Sequence, residues 1–227
     1  MSRGVAILGM HRSGTSALSG SLRDAGLYLG GVLDRSIEGN QKGLQEAPSV
    51  LFMHEDLLRV NGGSWHEPPE AIEWQALHES VRDLFIESRR AHSPWGFKDP
   101  RTLLVFDGWS RALPELQAVG IFRHPAEVAA SLHARNEFPI EKGLALWEHY
   151  NLRLFALQDH LEFPLLEFVD DGARMRTALQ RAAEALELDP EGAVRFFESG
   201  LRRASPPELN LPESVSELYH ALRERAQ

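Results

Sequence analysis

Hydrophobic and polar positions along this chain follow two different spacings. Short apolar runs, such as GVAIL at the start and QAVGIF near the middle, are typical of strands buried on both faces of a parallel sheet. Between them, apolar residues recur every three or four positions, which is the spacing of amphipathic helices. Strands are predicted at Gly4–Leu8, Trp95–Lys98, 116–122 and 165–169. Helices are predicted at 15–25, Pro48–Val60, 71–90, Thr102–Ala112, 126–136, 141–161, 173–186, 190–198 and 214–225.

Strands that alternate with helices predict an α/β fold with a central parallel sheet flanked by helices. The chain has 227 residues, without an internal repeat or a convincing linker, so we expect a single domain over residues 1–227. The segment 27–47 is rich in glycine and polar residues and predicts a long loop. Loops of that length in a compact domain are usually functional or mobile.

Charge and composition narrow the classes of function. The chain has 24 Lys and Arg against 33 Asp and Glu, a net charge of −9, which disfavours general electrostatic binding of nucleic acid. The absence of cysteine excludes disulfides, cysteine-bound zinc and a thiol nucleophile. No apolar run approaches the roughly 18 residues of a membrane span, so we expect a soluble, cytoplasmic protein without stable membrane insertion. The oligomeric state is not predicted.

The first strand runs into GMHRSGTS, which has the features of an anion-binding loop at a helix start. Backbone N–H groups there are unpaired, and the helix dipole favours a negative charge. Gly14 permits close approach of the backbone, the side chains of Ser13, Thr15 and Ser16 add hydroxyl donors, and Arg12 adds a forked cation. Thr15 stands where phosphate-loop NTPases require lysine.

The third predicted strand ends in FRHPAEVAASL and suggests a second anion locus. Arg123 lies at the strand end, and Ser131 follows two helical turns later on the next helix. The alternative is that Arg123 pairs with an acidic side chain and Ser131 faces solvent. Two anion loci at neighbouring strand ends suggest a ligand with two separated anionic groups.

RSGTS followed by FRxPxxVxxS resembles the two nucleotide-binding signatures of sulfotransferases that use 3′-phosphoadenosine 5′-phosphosulfate (PAPS). The loop arginine is closer to the carbohydrate and tyrosylprotein branches than to the cytosolic branch. The resemblance implies a three-layer, P-loop-NTPase-like fold and PAPS as the donor, with 3′,5′-ADP as product. It assigns the 5′ end of PAPS to Arg12–Ser16 and the 3′-phosphate to Arg123 and Ser131.

The resemblance also implies the catalytic residues. Lys98, in WGFKDPR, matches the lysine that contacts the leaving oxygen, and Arg12 adds a second cation. Glu46, in KGLQE, matches the carboxylate that activates the acceptor, although bacterial members often have Trp or Phe where this chain has Gln45. Asp99 is the alternative base, unless it pairs with Lys98. A late basic pair, 202–203, resembles residues that close over the nucleotide, which suggests a binding role for Arg203.

Several interpretations stay open from the sequence. His11 has a side chain whose usual pKa suits a base, but a solvent-facing loop position is the preferred interpretation. Trp65 and Trp147 could line an acceptor pocket, or could belong to the core or its rim. A phosphate-loop kinase is the rival enzyme, with LLVFD at 103–107 as its magnesium-binding strand, and a non-catalytic nucleotide-binding protein is the third possibility. We expect a small-molecule or glycan acceptor with a hydroxyl group, and no metal.

Overall fold

Four parallel strands form the central sheet of the computed structural model, which describes residues 2–36, 42–198 and 209–226. The strands are β1 (Gly4–Leu8), β2 (Trp95–Lys98), β3 (Gln117–Arg123) and β4 (Leu165–Phe168). Their order across the sheet is β2-β1-β3-β4, so β1 lies between β2 and β3. All four predicted strands are confirmed, within one residue at each end.

Helices cover both faces of the sheet, as the alternating pattern predicted. They are α1 (Thr15–Asp24), α2 (Pro48–Val60), α3 (Ala76–Glu87), α4 (Thr102–Ala112), α5 (Pro125–Asn136), α6 (Ile140–Leu161), α7 (Gly172–Ala185), α8 (Pro190–Ala193) and α9 (Glu213–Arg225). Along β1, Val5 and Ile7 pack towards α1 and α7, whereas Ala6 and Leu8 pack towards the layer that contains α2, α4 and α6. The two-residue period of the strand therefore divides the core into two layers. The predicted α/β three-layer fold is confirmed.

Two predicted helices are shorter than expected. The helix predicted at 71–90 begins only at Ala76, because the side chain of Asn61 accepts a hydrogen bond from the Glu73 N–H and donates one to the Glu73 carbonyl. Those bonds satisfy the backbone without a helical turn. The helix predicted at 190–198 ends at Ala193, and Phe197 is buried in the core layer beside α1 and α7. In both places tertiary contacts override the local pattern.

The carboxyl ends of the three strands β1, β2 and β3 lie side by side at one edge of the sheet. Ile7 is in register with Lys98, and Leu8 is in register with Gly120 on β3. The segments after these strands, Gly9–Ser16, Lys98–Arg101 and the start of α5, therefore meet at this edge, which is where open α/β sheets bind ligands. In the described part of the chain, no helix combines the length and the apolar character needed to cross a membrane.

Candidate active site

The loop between β1 and α1 has the geometry of an anion cradle. Gly14 precedes the first helical residue with φ 88°, and a Cβ added to it would lie 2.4 Å from a carbon of the Phe168 ring. Glycine is therefore required there for two independent reasons. The Ser13 hydroxyl is buried and has no hydrogen-bond partner among the described residues, and the first turn of α1 carries no acidic side chain. A buried donor without a partner at a helix N-terminus fits an anionic ligand such as phosphate.

Arg12 brings the two predicted anion loci together. Its Nε donates a 2.7 Å hydrogen bond to the Ser131 hydroxyl on α5, and its backbone has a left-handed φ of 67°. A non-glycine residue in that region is uncommon and often belongs to a functional loop. The alternative in which Ser131 merely faces solvent is wrong, because its hydroxyl contacts the arginine of the first loop.

Arg123 lies at the end of β3 and faces the same loop. Its Nε donates to Glu127 Oε2 at 2.5 Å, so the alternative in which Arg123 pairs with an acid is correct. One terminal nitrogen also lies 3.4 Å from the Arg12 carbonyl oxygen, and the Arg123 carbonyl accepts from the Trp147 indole at 2.8 Å. Trp147 is fully buried and holds the strand end, so its place is in the core. A role for Arg123 in binding a 3′-phosphate stays a prediction.

Glu46 and Lys98 form a buried ion pair beside the cradle. Lys98 Nζ lies 2.7 Å from Glu46 Oε1, and the two side chains are only 2% and 5% exposed. Burial raises the pKa of Glu46, and the nearby Lys98 ammonium opposes this effect. The structure thus brings together two of the three predicted catalytic residues, although they are 52 positions apart along the chain.

The segment 42–46 places its backbone against the cradle. The Leu44 carbonyl accepts hydrogen bonds from Lys98 Nζ at 2.7 Å and from the Ser16 hydroxyl at 3.0 Å. Gln45 is buried with a left-handed φ of 58°, and its side-chain oxygen accepts from Arg23 of α1 at 2.9 Å. The unusual Gln45 therefore anchors this segment to α1 and fixes the position of its neighbour Glu46.

Asp99 belongs to a second buried network of charged and polar side chains. Its Oδ1 accepts from the Arg101 guanidinium at 3.0 Å and from the Arg101 backbone N–H at 2.8 Å, and Oδ2 lies 3.5 Å from His54 Nδ1. Burial alone would raise the pKa of Asp99, but Arg101 and His54 outweigh it and hold the pKa well below its usual range. The alternative in which Asp99 pairs with Lys98 is wrong, and the contacts of Asp99 with Arg101 and His54 make it a poor base.

Arg101 is a buried cation that sequence reasoning missed. Besides Asp99, it contacts Glu55 Oε1 at 2.7 Å, and these two carboxylates raise its pKa despite the opposing effect of burial. On the other side of Asp99, the Trp109 indole donates to His54 Nε2 at 2.9 Å, which leaves the proton of neutral His54 on Nδ1, towards Asp99. The sequence KDPR, directly after β2, is the signal that could have pointed to Arg101.

His11 is half-buried against two aromatic rings, and so is not the fully solvent-facing residue preferred from the sequence. Its ring lies 4.4 Å from the Trp65 ring and 6.1 Å from the Tyr150 ring, measured between centroids. Its Nε2 is buried and has no hydrogen-bond partner among the described residues. Burial lowers the pKa of His11 well below its usual value of 6.5, and the charges of Arg101 and Lys98 lower it further.

Two remaining predictions have different outcomes. Arg203, together with the rest of 202–203, lies outside the described residues, so its predicted role is untested. The segment 103–107 belongs to helix α4 and not to a strand, which removes the magnesium-binding strand end expected for a kinase. Asp107 lies exposed on that helix.

Comparison with known proteins identifies the fold. No protein-family model matches the chain, and no curated protein matches it. Among solved structures, the sulfotransferase domain of the Synechococcus PCC 7002 olefin synthase is similar, with a TM-score of 0.66 at 16% identity over 98% of this chain and 95% of that one. Sulfotransferase STF1 from Mycobacterium tuberculosis H37Rv has a TM-score of 0.52 at 15% identity, over 99% of this chain and 77% of that one. This chain therefore has a sulfotransferase-like fold.

Proposed function

We propose that this protein is a sulfotransferase that moves the sulfuryl group of PAPS to a hydroxyl group of a small-molecule or glycan acceptor. The observation that carries the proposal is the buried Glu46–Lys98 pair, which directly adjoins a candidate phosphate loop that has Thr15 at the NTPase lysine position and carries Arg12 within the loop. The sulfotransferase-like fold supports the same reaction class. Fold alone is an argument by analogy, so the proposal rests mainly on these side chains.

In this proposal, PAPS supplies the activated sulfuryl group. The backbone N–H groups at the start of α1 and the Ser13, Thr15 and Ser16 hydroxyls hold the 5′ end of the donor. Arg123, together with Ser131, holds the 3′-phosphate. Lys98 and Arg12 stabilise the negative charge that grows on the leaving phosphate, and their fixed positions favour an in-line attack.

The attacking hydroxyl must lose a proton, and the resemblance to sulfotransferases implies that the carboxylate of Glu46 accepts it. Its raised pKa suits a proton acceptor, because a base works best with a pKa near the working pH. Its bond to Lys98 opposes this role, since the ammonium stabilises the carboxylate in its charged form. The role of Glu46 as the base stays a prediction.

The rival kinase is disfavoured by two features. Thr15 replaces the lysine that reaches the β- and γ-phosphates, and Asp107 lies on an exposed helical surface instead of at a strand end. A non-catalytic nucleotide-binding protein would share the cradle and Arg123, but it would have no need for the Glu46–Lys98 pair. A buried ion pair contributes little net stability, so its presence suggests a function.

A comparison of melting temperatures tests the proposal. We expect 3′,5′-ADP at 100 times its dissociation constant to stabilise the protein by about 2.7 kcal/mol, a shift of roughly 5–10 °C for a chain of this size. We expect ADP, and ATP with magnesium, to give much smaller shifts because they lack the 3′-phosphate. Arg123→Ala should abolish the difference between the nucleotides.

Arg90→Ala is the matched control, since Arg90 is an exposed arginine that precedes β2, at the opposite edge of the sheet. It should leave every shift as in the wild type. A shift with magnesium-ATP and none with 3′,5′-ADP would contradict the sulfotransferase and favour the kinase. Cleavage of PAPS in the presence of alcohol, phenol and sugar acceptors then separates an enzyme from a binding protein.

A further inference from the structure

His11 occupies a position that its place in the phosphate loop did not reveal. The half-buried imidazole lies against the half-buried ring of Trp65, while the ring of Tyr150 meets it edge-on. The Tyr150 hydroxyl donates to the Trp65 carbonyl at 2.8 Å, which fixes these two aromatic residues relative to each other. The imidazole is thus held firmly, yet its Nε2 has no hydrogen-bond partner within the described residues.

A buried nitrogen without a partner is costly and therefore calls for an explanation. The two carboxylates near Lys98 are both engaged, Glu46 by the Lys98 ammonium and Asp99 by Arg101. Two histidines in this region have a buried ring nitrogen without a hydrogen-bond partner among the described residues, His11 and His54. His54 lies against Asp99 and accepts a hydrogen bond from the Trp109 indole at its other nitrogen, whereas His11 belongs to the loop after β1. That loop would hold the donor, so an acceptor that reaches His11 would lie near the reacting sulfur.

We propose that His11 is a further catalytic residue, which receives the proton of the attacking hydroxyl at an imidazole nitrogen. This inference rests on the proposed sulfotransferase function and replaces only its assignment of the base. Glu46 then acts through Lys98, because its carboxylate holds the ammonium in the position needed for the leaving phosphate.

The charges around His11 keep its imidazole neutral and able to accept a proton. Arg101 and Lys98 lie towards β2, and Arg135 lies on α5, and all three lower its pKa, in addition to the larger effect of burial. Asp99 is the one neighbouring charge that raises it. Tyr150 on α6 stays un-ionised, because burial raises its pKa far above the usual range. A bound donor would add negative charge and raise the pKa of His11 again, which strengthens it as a base.

The step balances without a further reactant. The acceptor oxygen forms a bond to sulfur while its O–H bond breaks, and the proton moves to His11. The bond from sulfur to the phosphate oxygen breaks at the same time, and its electron pair remains on 3′,5′-ADP beside Lys98 and Arg12. The protonated imidazole afterwards releases its proton to water.

Chemical rescue separates a base from a structural residue. We expect His11→Ala to slow PAPS cleavage about 10²–10⁴-fold, the usual contribution of general-base catalysis, without weakening 3′,5′-ADP binding. Imidazole derivatives added to this variant should restore the rate of PAPS cleavage, and more basic derivatives should restore it more. His149→Ala is the matched control: His149 is half-buried, its Nε2 also lacks a partner among the described residues, and its ring lies 6.2 Å from Tyr150. It should cleave PAPS as the wild type does.

Nitrogen-15 NMR of the imidazoles provides a readout that needs no turnover. In the free protein we expect His11 to be neutral at pH 6.5. When 3′,5′-ADP is bound, we expect the pKa of His11 to be higher than in the free protein. A protonated His11 at neutral pH, or a His11→Ala variant that cleaves PAPS at the wild-type rate, would overturn the inference. Failure of the wild type to bind 3′,5′-ADP, or to cleave PAPS with any acceptor, would instead contradict the proposed function itself.

Discussion

Removing Glu46 should leave the Lys98 ammonium buried without its counter-charge. Both side chains are at least 95% shielded from solvent and their charged atoms are 2.7 Å apart. Breaking such a pair by removing one partner typically costs about 3–5 kcal/mol, because the remaining charge stays desolvated. For a chain of this size each kcal/mol lowers the melting temperature by about 2–4 °C, so we expect Glu46→Ala to melt roughly 6–20 °C below the wild type.

Differential scanning fluorimetry of the single variant and of a variant that replaces both charges measures this effect. Lys98→Met combined with Glu46→Leu replaces both charges by apolar groups and should recover much of the lost stability. The pair Lys142–Glu67 is the surface control: its atoms are 3.3 Å apart, its side chains are 34% and 70% exposed, and removing Glu67 should cost at most about 1 kcal/mol.

Anion binding provides a second arm of the same experiment. In Glu46→Ala the uncompensated Lys98 ammonium should bind 3′,5′-ADP more tightly than in the wild type, and the nucleotide should offset part of the stability loss. A Glu46→Ala variant that loses no more melting temperature than the Glu67 control would refute the reasoning, because the Glu46–Lys98 pair would then behave as a solvent-exposed one.

Three further predictions concern the loop and its surroundings. Gly14→Ala should destabilise the fold by about 1–3 kcal/mol in urea unfolding, since the new Cβ meets the Phe168 ring at a left-handed φ; Phe168→Leu should relieve only the steric part. Asp99→Asn should cost about 3–5 kcal/mol by the same measurement, because Arg101 loses its buried partner; a cost equal to that of Glu67→Ala would contradict this. Folding lowers the pKa of His11, so its contribution to stability is present above pH 6.5 and is lost as the pH falls below that value. His11→Gln should therefore weaken the dependence of the melting temperature on pH between pH 7 and pH 5. An unchanged dependence would count against the burial of a neutral imidazole.

Local pattern was sufficient for the elements of this fold. The apolar run of β1 and the three- to four-residue spacing of α2 both predicted elements at the observed bounds, because burial on a sheet or on one helix face leaves a period in the sequence. The helix at 71–90 was predicted too long, since nothing in its spacing reveals that Asn61 satisfies the backbone of Glu73.

The candidate site divides in the same way. Ser13 and Gly14 could be placed in a candidate anion-binding loop from one short motif, because a strand, a glycine turn and a helix N-terminus are contiguous in the chain. Arg101 could not be placed in the site from the sequence, since its importance lies in its contacts with Asp99 and Glu55. A solvent-facing position was predicted for His11, because its place in a loop does not reveal which distant aromatic ring packs against it.

Contiguous features of the chain were therefore enough to predict the α/β class, the candidate anion-binding loop and the apolar positions of the core. Folding alone brought Glu46 against Lys98 at 2.7 Å, Arg12 against Ser131 and His11 against Trp65. The reason is physical: periodicity and turn chemistry act over a few residues, whereas partners 52 or 119 positions apart are chosen by the packing of the sheet and its helices. Desolvation, which shifts the pKa values of Glu46 and His11, exists only after that packing is complete.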